Sequence, residues 1–395
     1  MYKENKLIIK KEVQEKILYS GEVTDEEVYR IIDGCISRMS HEKNISLVDK
    51  INLRKEIFYS IRGLDILSEL LLDDEITEIM VNGYKNIFIE KEGRIFPANK
   101  SFDSSDILSD IIRKIVSNAN RTVNMASPIV DARLEDGSRV NVVLEPISLE
   151  GPILTIRRFP DVPLDMDALV KLHAVSEEIV DFLRQLVVSK HNIIISGGTG
   201  AGKTTFLNAL SGFIPKNERI ITIEDSAELK IQGISNIVRL ETRNTNGEGL
   251  SEISIRDLIK TALRMRPDRI IVGEVRGEEA VDMLQAFGVG QDGSLSTLHA
   301  NSAVDALSRL ETLIMLNTEN IPLMALRRQI VSGVDIIIHL SRQRDSSRKL
   351  LEIIEVVKMI GDQIETNTLY SFCKGEFIRN NSMINTYKLE SAGFI

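Results

Sequence analysis

The glycine-rich stretch GGTGAGKTT at residues 197–205 constrains what this chain folds into more than any other feature. It follows the apolar run NIIIS and leads into FLNALSGF, which predicts a loop between a buried strand and a helix. The loop matches the spacing G-x-x-x-x-G-K-[ST] at Gly197, Gly202, Lys203 and Thr204. A flexible turn is the alternative, but a strand before the loop and a helix after it favour phosphate binding.

Phosphate binding by such a loop depends on its backbone, because glycines let successive amides point inward at phosphate oxygens and the next helix aims its positive end there. Lys203 adds a charge for the β- and γ-phosphates, and the Thr204 hydroxyl can ligate magnesium. The predicted nucleotide-binding residues are Gly197, Gly198, Thr199, Gly200, Ala201, Gly202, Lys203, Thr204 and Thr205.

The region around this loop alternates short apolar runs with amphipathic helical segments. The apolar runs are NIIIS, RIITIED, NIVRLE, RIIVGEV and SLSTLH. Continuous apolar strands separated by helices predict an α/β fold with a mostly parallel sheet covered on both faces. Further apolar segments, VDIIIHL, KLLEIIEVVKM and NTLYSF, predict a strand-rich tail on the sheet edge.

The rest of the chain differs in pattern and indicates further domains. Residues 1–70 have helical spacing, and residues 71–160 mix helix with short strand-like runs, so they predict a smaller α+β domain. The proline-containing stretch FPDVPLD ends that domain, and the predicted linker covers 161–172. The P-loop domain is predicted to occupy 173–395.

Composition limits the partners and the compartment. The 395 residues carry 58 acidic and 49 basic side chains, a formal net charge of -9, which disfavours broad contact with nucleic acid or anionic lipid. Two cysteines, Cys35 and Cys373, provide no disulfide or zinc framework. The sequence shows neither a signal-peptide pattern nor an apolar run long enough to span a bilayer, so we expect a cytoplasmic protein that reaches the membrane through partners.

Acidic residues end two of the predicted strands, where ligands bind in open α/β sheets. ITIEDSAEL contains Glu224, Asp225 and Glu228, and IIVGEV contains Glu274. A single charged residue at a strand end is usually just solvated, but two clusters after a phosphate-binding loop favour catalysis. We assign Glu224 to orienting or deprotonating water and Glu274 to magnesium or water; the two roles could be exchanged.

A histidine and several arginines complete the candidate site. His299 ends the strand-like run SLSTLH, where it either senses the γ-phosphate or is a histidine satisfied by its own backbone surroundings. Arginines are dense nearby, and one or two could reach a neighbouring subunit's phosphate although many belong to a solvated surface. These arginines are Arg239, Arg243, Arg256, Arg264, Arg266, Arg269 and Arg276.

Together these motifs resemble a known family. GGTGAGKTT, ITIEDSAEL, LRMRPDRIIVGEVRG and DGSLSTLHANS are similar, in order and spacing, to the Walker A, Asp box, Walker B and His box of type II/IV secretion ATPases. The sequence most resembles the CpaF/TadA-like ATPases of tight-adherence (Flp) pilus assembly. LLDDEITEIMVNG, SPIVDARLEDGSRVNVVL and GPILTIRRF extend the resemblance toward the N-terminus.

The resemblance implies a homo-hexameric ring of subunits, each with a PAS-like N-terminal domain and a RecA-like motor that binds ATP and Mg²⁺. It makes Glu224, Glu274 and His299 catalytic, with Thr204, Glu224 and Glu274 near magnesium. Arg264 and Arg276 fall where the family places arginines that act across subunits. The resemblance also implies that Arg139, Arg157 and Arg158 bring the N-terminal domain to the phosphates.

The implied work is mechanical: domain motions driven by ATP hydrolysis turn an inner-membrane platform protein of a pilus or secretion system. The alternative from another class is a RecA-like ATPase that translocates nucleic acid, in conjugation or as a helicase. Aromatic residues are only 5% of the chain and tryptophan is absent, which leaves few stacking surfaces for single strands. A nucleotide-gated scaffold with little turnover is disfavoured by the carboxylates.

Overall fold

The computed structural model describes residues 2–158, 163–243, 251–288, 290–317 and 321–395. The chain divides into two compact units, Met1–Pro160 and Asp161–Ile395. Within the described residues, every helix is too short or too polar to cross a membrane.

Three helices begin the first unit: α1 (Tyr2–Ser20), α2 (Asp25–Glu42) and α3 (Leu47–Ile61). Thr24 caps α2 through a reciprocal pair of hydrogen bonds with Glu27, which satisfies amides that the first helical turn leaves open. Val28, Ile31, Ile32 and Cys35 recur with helical spacing. Val28, Ile32 and Cys35 are buried in a small core shared by the three helices, and Ile31 packs against it.

The remainder of the first unit is a six-stranded sheet with helices α4 (Ile66–Leu71) and α5 (Ser105–Asn118). Its strands are β1 (Ile76–Asn82), β2 (Asn86–Lys91), β3 (Arg94–Pro97), β4 (Ile129–Arg133), β5 (Arg139–Val143) and β6 (Ile153–Arg157). All neighbours in the order β3-β2-β1-β6-β5-β4 are antiparallel. Buried and accessible residues alternate along β5, as a sheet with one covered face requires.

The second unit is built on a nine-stranded sheet in the order β15-β14-β13-β12-β7-β11-β10-β8-β9. Its strands are β7 (Ile193–Gly197), β8 (Ile220–Glu224), β9 (Ile237–Glu241), β10 (Arg269–Val275), β11 (Leu295–Leu298), β12 (Ile336–Arg342), β13 (Arg348–Ile360), β14 (Gln363–Cys373) and β15 (Glu376–Arg379). The strands from β12 to β9 pair in parallel, and β13, β14 and β15 extend the sheet in antiparallel fashion.

Helices cover both faces of this sheet. They are α6 (Met166–Lys171), α7 (Glu177–Val188), α8 (Lys203–Ser211), α9 (Ile255–Ala262), α10 (Glu279–Gly288), α11 (Ala303–Asn317), α12 (Leu323–Gly333) and α13 (Tyr387–Ser391). Alternate residues of β7 serve separate cores: Ile193 and Ile195 pack with α7 and α8, and Ile194 packs with the layer that contains α9 to α12. Strands buried on both faces explain the continuous apolar runs, and the predicted parallel sheet is confirmed.

Two details depart from the sequence-based expectations. VDIIIHL does not lie on the sheet edge, because β12 inserts beside β7 with Ile336, Ile337 and Ile338 all fully buried. The antiparallel edge is formed by β13, β14 and β15. The predicted linker 161–172 contains helix α6, whose Met166 and Leu169 are buried in the core.

Candidate nucleotide-binding site

The predicted phosphate loop joins the buried strand β7 to helix α8. Gly198, Thr199 and Gly200 are exposed at the carboxyl end of β7, while Gly197 before them is buried. Gly202, just before α8, has φ 89°, a left-handed conformation that glycine adopts without steric cost. The loop therefore presents accessible backbone to a ligand at the start of a helix, as anion binding requires.

Close packing of β7 against β12 explains the first glycine of the loop. Gly197 pairs with Leu340 in the parallel ladder, and a Cβ at residue 197 would lie 2.5 Å from the Leu340 carbonyl oxygen. No side chain fits at that distance without moving the strand backbone. The two strands thus fix the point at which the loop leaves the sheet.

Lys203 is the positive centre of the site. Its ammonium group donates to the Gly198 carbonyl oxygen at 3.3 Å and lies 3.6 Å from Oε1 of Glu274. The same nitrogen is 3.3 Å from both ring nitrogens of His299. The side chain is only 8% exposed, so its charge acts in a partly desolvated environment where electrostatic interactions are stronger than in water.

His299 links Lys203 to Glu274. Its Nε2 is 2.9 Å from Oε1 of Glu274. Burial lowers the pKa of His299, and the nearby positive charges of Lys203 and Arg276 lower it further. The carboxylate of Glu274 acts in the opposite direction and raises it. In a neutral ring, one nitrogen can accept a hydrogen bond from the Lys203 ammonium.

Glu224, at the end of β8, is held in place by backbone amides. Its Oε2 accepts hydrogen bonds from the amides of Glu228 at 2.8 Å and Leu229 at 3.0 Å, and the residue is 3% exposed. The neighbouring strand β10 makes room for it, because a Cβ on Gly273 would lie 2.9 Å from Cγ of Glu224. The glycine in IIVGEV therefore has a structural reason: it accommodates the carboxylate of the next strand.

The end of β10 is irregular where Glu274 lies. The register between β10 and β11 shifts between Val272 and Val275, which is the position of Gly273 and Glu274. The Thr297 hydroxyl donates to the Gly273 carbonyl at 2.7 Å and fixes this segment to β11. A bulge of this kind redirects a side chain, here that of Glu274. The sequence did not point to Thr297, because an isolated threonine in a strand has no distinguishing pattern.

Arg276 connects the two predicted acidic clusters. Its Nε donates to Oε2 of Glu274 at 2.7 Å, and its guanidinium lies 3.9 Å from Oδ2 of Asp225. The side chain is 57% exposed, so these ion pairs contribute little to stability. Arg276 is thus at the rim of the same site as Glu274.

Other predicted arginines lie elsewhere. Arg264 is exposed in the segment between α9 and β10, at the amino end of β10 and away from the carboxyl end that bears Glu274. Arg256 pairs with Glu278 at 3.0 Å and Asp282 at 2.9 Å. The structure therefore brings Arg276, but not Arg264, to the site of its own chain.

Arg269 belongs to the same arginine-dense stretch of the sequence as Arg276, but it does not lie at the site. Arg269 begins β10 at its amino end, is fully buried, and makes a two-pronged ion pair with Glu218. It also donates to the carbonyls of Val187 at 2.8 Å and Gly293 at 3.1 Å. Each of its three nitrogens has a hydrogen-bond partner, which explains how a guanidinium is tolerated in the core.

Among the arginines of the first unit, Arg158 is hydrogen-bonded within that unit. Its guanidinium donates to the carbonyls of Asp73 and Ile76, the latter at 3.2 Å. Arg157 faces Arg139 across the β5–β6 ladder. Contact of these arginines with phosphates stays a prediction.

The donor set fits a nucleotide with magnesium. The accessible backbone of Gly198 and Gly200 and the Lys203 ammonium suit phosphate oxygens. Thr204, Glu224 and Glu274 offer the oxygen ligands that Mg²⁺ prefers. Within the described residues there is no ready-made cluster of three or more His, Cys, Asp or Glu for a metal, so Mg²⁺ would be held largely through phosphates and water, its usual arrangement.

Fold and site together define a P-loop α/β protein with acidic residues and a histidine at the carboxyl ends of the strands. Residues 62–385 match the model of the type II/IV secretion system protein family, and the chain belongs to that family. Nucleotide binding follows from this membership.

Two relatives and one solved structure illustrate the likeness. A putative conjugal transfer protein of Mycobacterium tuberculosis is 32% identical over 319 residues, which cover 79% of this chain and 90% of the relative. The type IV secretion system protein PtlH of Bordetella pertussis is 33% identical over 315 residues, 73% of this chain and 93% of PtlH. The structure of the pilus retraction motor PilT with bound ADP superposes with a TM-score of 0.53 at 21% identity, covering 83% of this chain and 86% of PilT. That structural likeness concerns the fold, and it confirms the predicted fold class.

Proposed function

We propose that this chain is an ATP-hydrolysing motor that works as a homo-hexamer and powers Flp/Tad-type pilus assembly or type II/IV secretion. In this proposal the motor domain, 173–395, follows the linker 161–172, the α+β domain 71–160 and the helical region 1–70. The ring lies in the cytoplasm and engages an inner-membrane platform protein. The observation that supports ATP hydrolysis best is the convergence of Lys203, Glu274 and His299 beside the phosphate loop.

Lys203 is proposed to exchange its present partners for phosphate. Its ammonium now contacts a carbonyl, a carboxylate and an imidazole within 3.6 Å, so it is positioned by groups that compete only weakly with a multiply charged ligand. The His299 ring lies 2.9 Å from Oε1 of Glu274, so it connects the lysine with the carboxylate near the end of β10. Magnesium, when bound with ATP, would neutralise charge that develops on the phosphates.

The two glutamates are proposed to act differently because their surroundings differ. Glu224 has one oxygen fixed by two backbone amides, a rigid placement that suits a residue orienting the attacking water. Glu274 contacts three side chains, Lys203, Arg276 and His299, and suits a water or magnesium contact that changes with the phosphate state.

ATP turnover in the presence of magnesium tests the proposal. Lys203→Ala should abolish turnover and weaken nucleotide binding, because the positive centre is lost, while circular dichroism and thermal unfolding stay near those of the unaltered protein. Lys216→Ala, at an exposed position outside the loop, is the matched control and should retain full turnover. Normal turnover of the Lys203 variant would contradict the proposed site.

The roles of the glutamates can be separated by paired measurements. Glu224→Gln should lower kcat by about 100-fold or more while MgATP still binds, as expected when a group that activates water is removed. Glu274→Gln should weaken MgATP binding and raise the magnesium concentration needed for turnover. The reverse pattern would exchange the two assignments, and normal turnover in both variants would remove them from catalysis.

Arg264 is proposed to act on the nucleotide of a neighbouring subunit, and the same role is proposed for Arg276 from the rim of the site that its own chain forms. Arg264 is exposed and remote from the site of its own chain, which agrees with a partner across an interface. Mixed assemblies test this idea: Lys203→Ala subunits combined with Arg264→Ala subunits should regain part of the turnover that each variant lacks alone. Absence of any recovery in mixtures shown to contain both subunits would count against action in trans.

The second candidate function is DNA transfer in conjugation. The names of relatives such as the conjugal transfer protein TrbB of Rhizobium radiobacter, 33% identical over 297 residues, favour it. The net charge of -9 opposes direct contact with DNA. Turnover that rises with added single-stranded DNA, and falls back at high salt, would support a nucleic-acid motor, whereas turnover indifferent to DNA supports the pilus or secretion motor.

A further inference from the structure

The turn between β12 and β13 places two arginines beside the phosphate loop. Strand β12 runs parallel to β7, and Leu340 pairs with Gly197, the residue at which β7 ends. β12 continues to Arg342, and the chain returns as β13 from Arg348. Because Arg342 and Arg348 face each other in the antiparallel register, both lie just past the end of β7.

Arg348 contacts the phosphate loop directly. Its Nε donates to the Gly200 carbonyl oxygen at 3.0 Å, and a Cβ on Gly202 would lie 3.1 Å from Cδ of Arg348. The Ala201 amide, on the other side of the same peptide group, donates to the Gly198 carbonyl at 3.3 Å. Since the carbonyl and amide of a trans peptide point in opposite directions, the arginine helps to fix the orientation of this peptide.

Arg342 approaches the same loop from the facing strand. A Cβ built on Gly200 would lie 3.9 Å from an Nη of Arg342, and another Nη donates to the Ser346 hydroxyl at 3.3 Å. The acid of this turn, Asp345, uses its carboxylate to accept the Ser347 amide at 2.9 Å. The hairpin therefore brings two guanidinium groups close to the loop.

The two guanidinium groups raise the positive electrostatic potential at the end of β7. A multiply charged anion such as a polyphosphate is attracted to positive potential, and charge-assisted hydrogen bonds to it are strong.

We propose that Arg348 is a positioning residue of the nucleotide site, which holds the phosphate loop through the Gly200 carbonyl, and that Arg342 adds positive charge beside the bound polyphosphate. The inference rests on the proposed function and adds two residues outside the motifs of the sequence. A positioning role acts before chemistry, so it should affect the binding of ADP and ATP alike.

Affinity for MgADP and MgATP, measured by isothermal titration calorimetry, tests the proposal. Arg348→Ala should weaken both about 10-fold, the lower end expected for loss of one hydrogen bond to a charged donor. Arg342→Ala should weaken both about two- to five-fold, as for an exposed charge. Arg344→Ala, the matched control at an exposed position in the same turn, should stay within about twofold of the unaltered protein.

Amide hydrogen exchange without nucleotide provides a readout that lost charge alone does not change. In Arg348→Ala the amides of residues 198–204 should exchange faster, whereas Arg344→Ala should leave them unaltered. Normal affinity and exchange in Arg348→Ala, while the unaltered protein binds nucleotide, would refute this inference alone. Equal losses in Arg344→Ala would also refute it, since they would reflect general charge. Failure of the unaltered protein to bind either nucleotide would refute the proposed function and this inference with it.

Discussion

Gly273→Ala tests whether the second strand-end motif has glycine in order to accommodate Glu224. The added Cβ would lie 2.9 Å from Cγ of Glu224, well inside the 3.5–4.0 Å at which carbon atoms normally pack. Glu224 is buried and held by two amides, so it has little room to withdraw. Overpacking of this kind costs about 1–3 kcal/mol.

The change should lower both stability and turnover. In a unit of this size each kcal/mol corresponds to about 2–4 °C, so thermal unfolding of the second unit should shift down by several degrees. Under the proposed function, a displacement of Glu224 by about 1 Å should reduce ATP turnover about 100-fold while nucleotide affinity changes little.

Gly288→Ala is the matched control, because it makes the same chemical change where nothing lies within 4 Å of the new Cβ. It should leave thermal unfolding and turnover near their original values. Differential scanning calorimetry measures the first quantity and phosphate release the second. If Gly273→Ala matched the control in thermal unfolding, the steric argument would be refuted whatever the protein hydrolyses.

Three further predictions concern stability. Arg269→Met should destabilise the second unit by about 3 kcal/mol in urea unfolding, because Glu218 would stay largely buried without its main partner; a loss below about 1 kcal/mol would contradict the importance of this ion pair. Burial lowers the pKa of His191, His299 and His339 below the ordinary 6.5, so the unfolded chain binds more protons in acid and the free energy of unfolding should fall as the pH drops below about 6.5. In His339→Gln the free energy of unfolding, measured in urea at pH 7.5 and 5.5, should fall less between the two pH values. An unchanged difference would contradict the contribution of His339 to the pH dependence. Ser104→Ala removes the side chain that accepts the Ile107 amide at 3.3 Å and should destabilise α5 by about 1 kcal/mol, visible as faster hydrogen exchange of its amides.

Local sequence pattern sufficed for the central part of the site. The spacing of the glycines, Lys203 and Thr204 belongs to one loop, and the strand before it has an apolar run that only a buried strand explains. Glu274 and His299 could be placed beside Lys203 because parallel strands end at a common edge of a sheet.

Contacts between residues far apart in the sequence could not be predicted. Arg269 and Arg276 are close in sequence, but they lie at opposite ends of β10, and only the fold shows that the first pairs with Glu218 in the core. In the same way, nothing in VDIIIHL shows that it pairs with a strand some 140 residues earlier. The contact between Arg348 and Gly200 depends on that pairing and could not be predicted without it.

The sheet changes from parallel to antiparallel at β12 and β13, one strand away from the phosphate loop. If β13 ran parallel to β12, a long crossover would have to carry the chain back to the opposite end of the sheet. Because β13 is antiparallel, a short turn, residues 343–347, joins the two strands at the end of the sheet where the phosphate loop lies. Such a turn accepts an attached dye with little cost to the core. A fluorophore attached to this turn would therefore report on nucleotide binding at the adjacent loop.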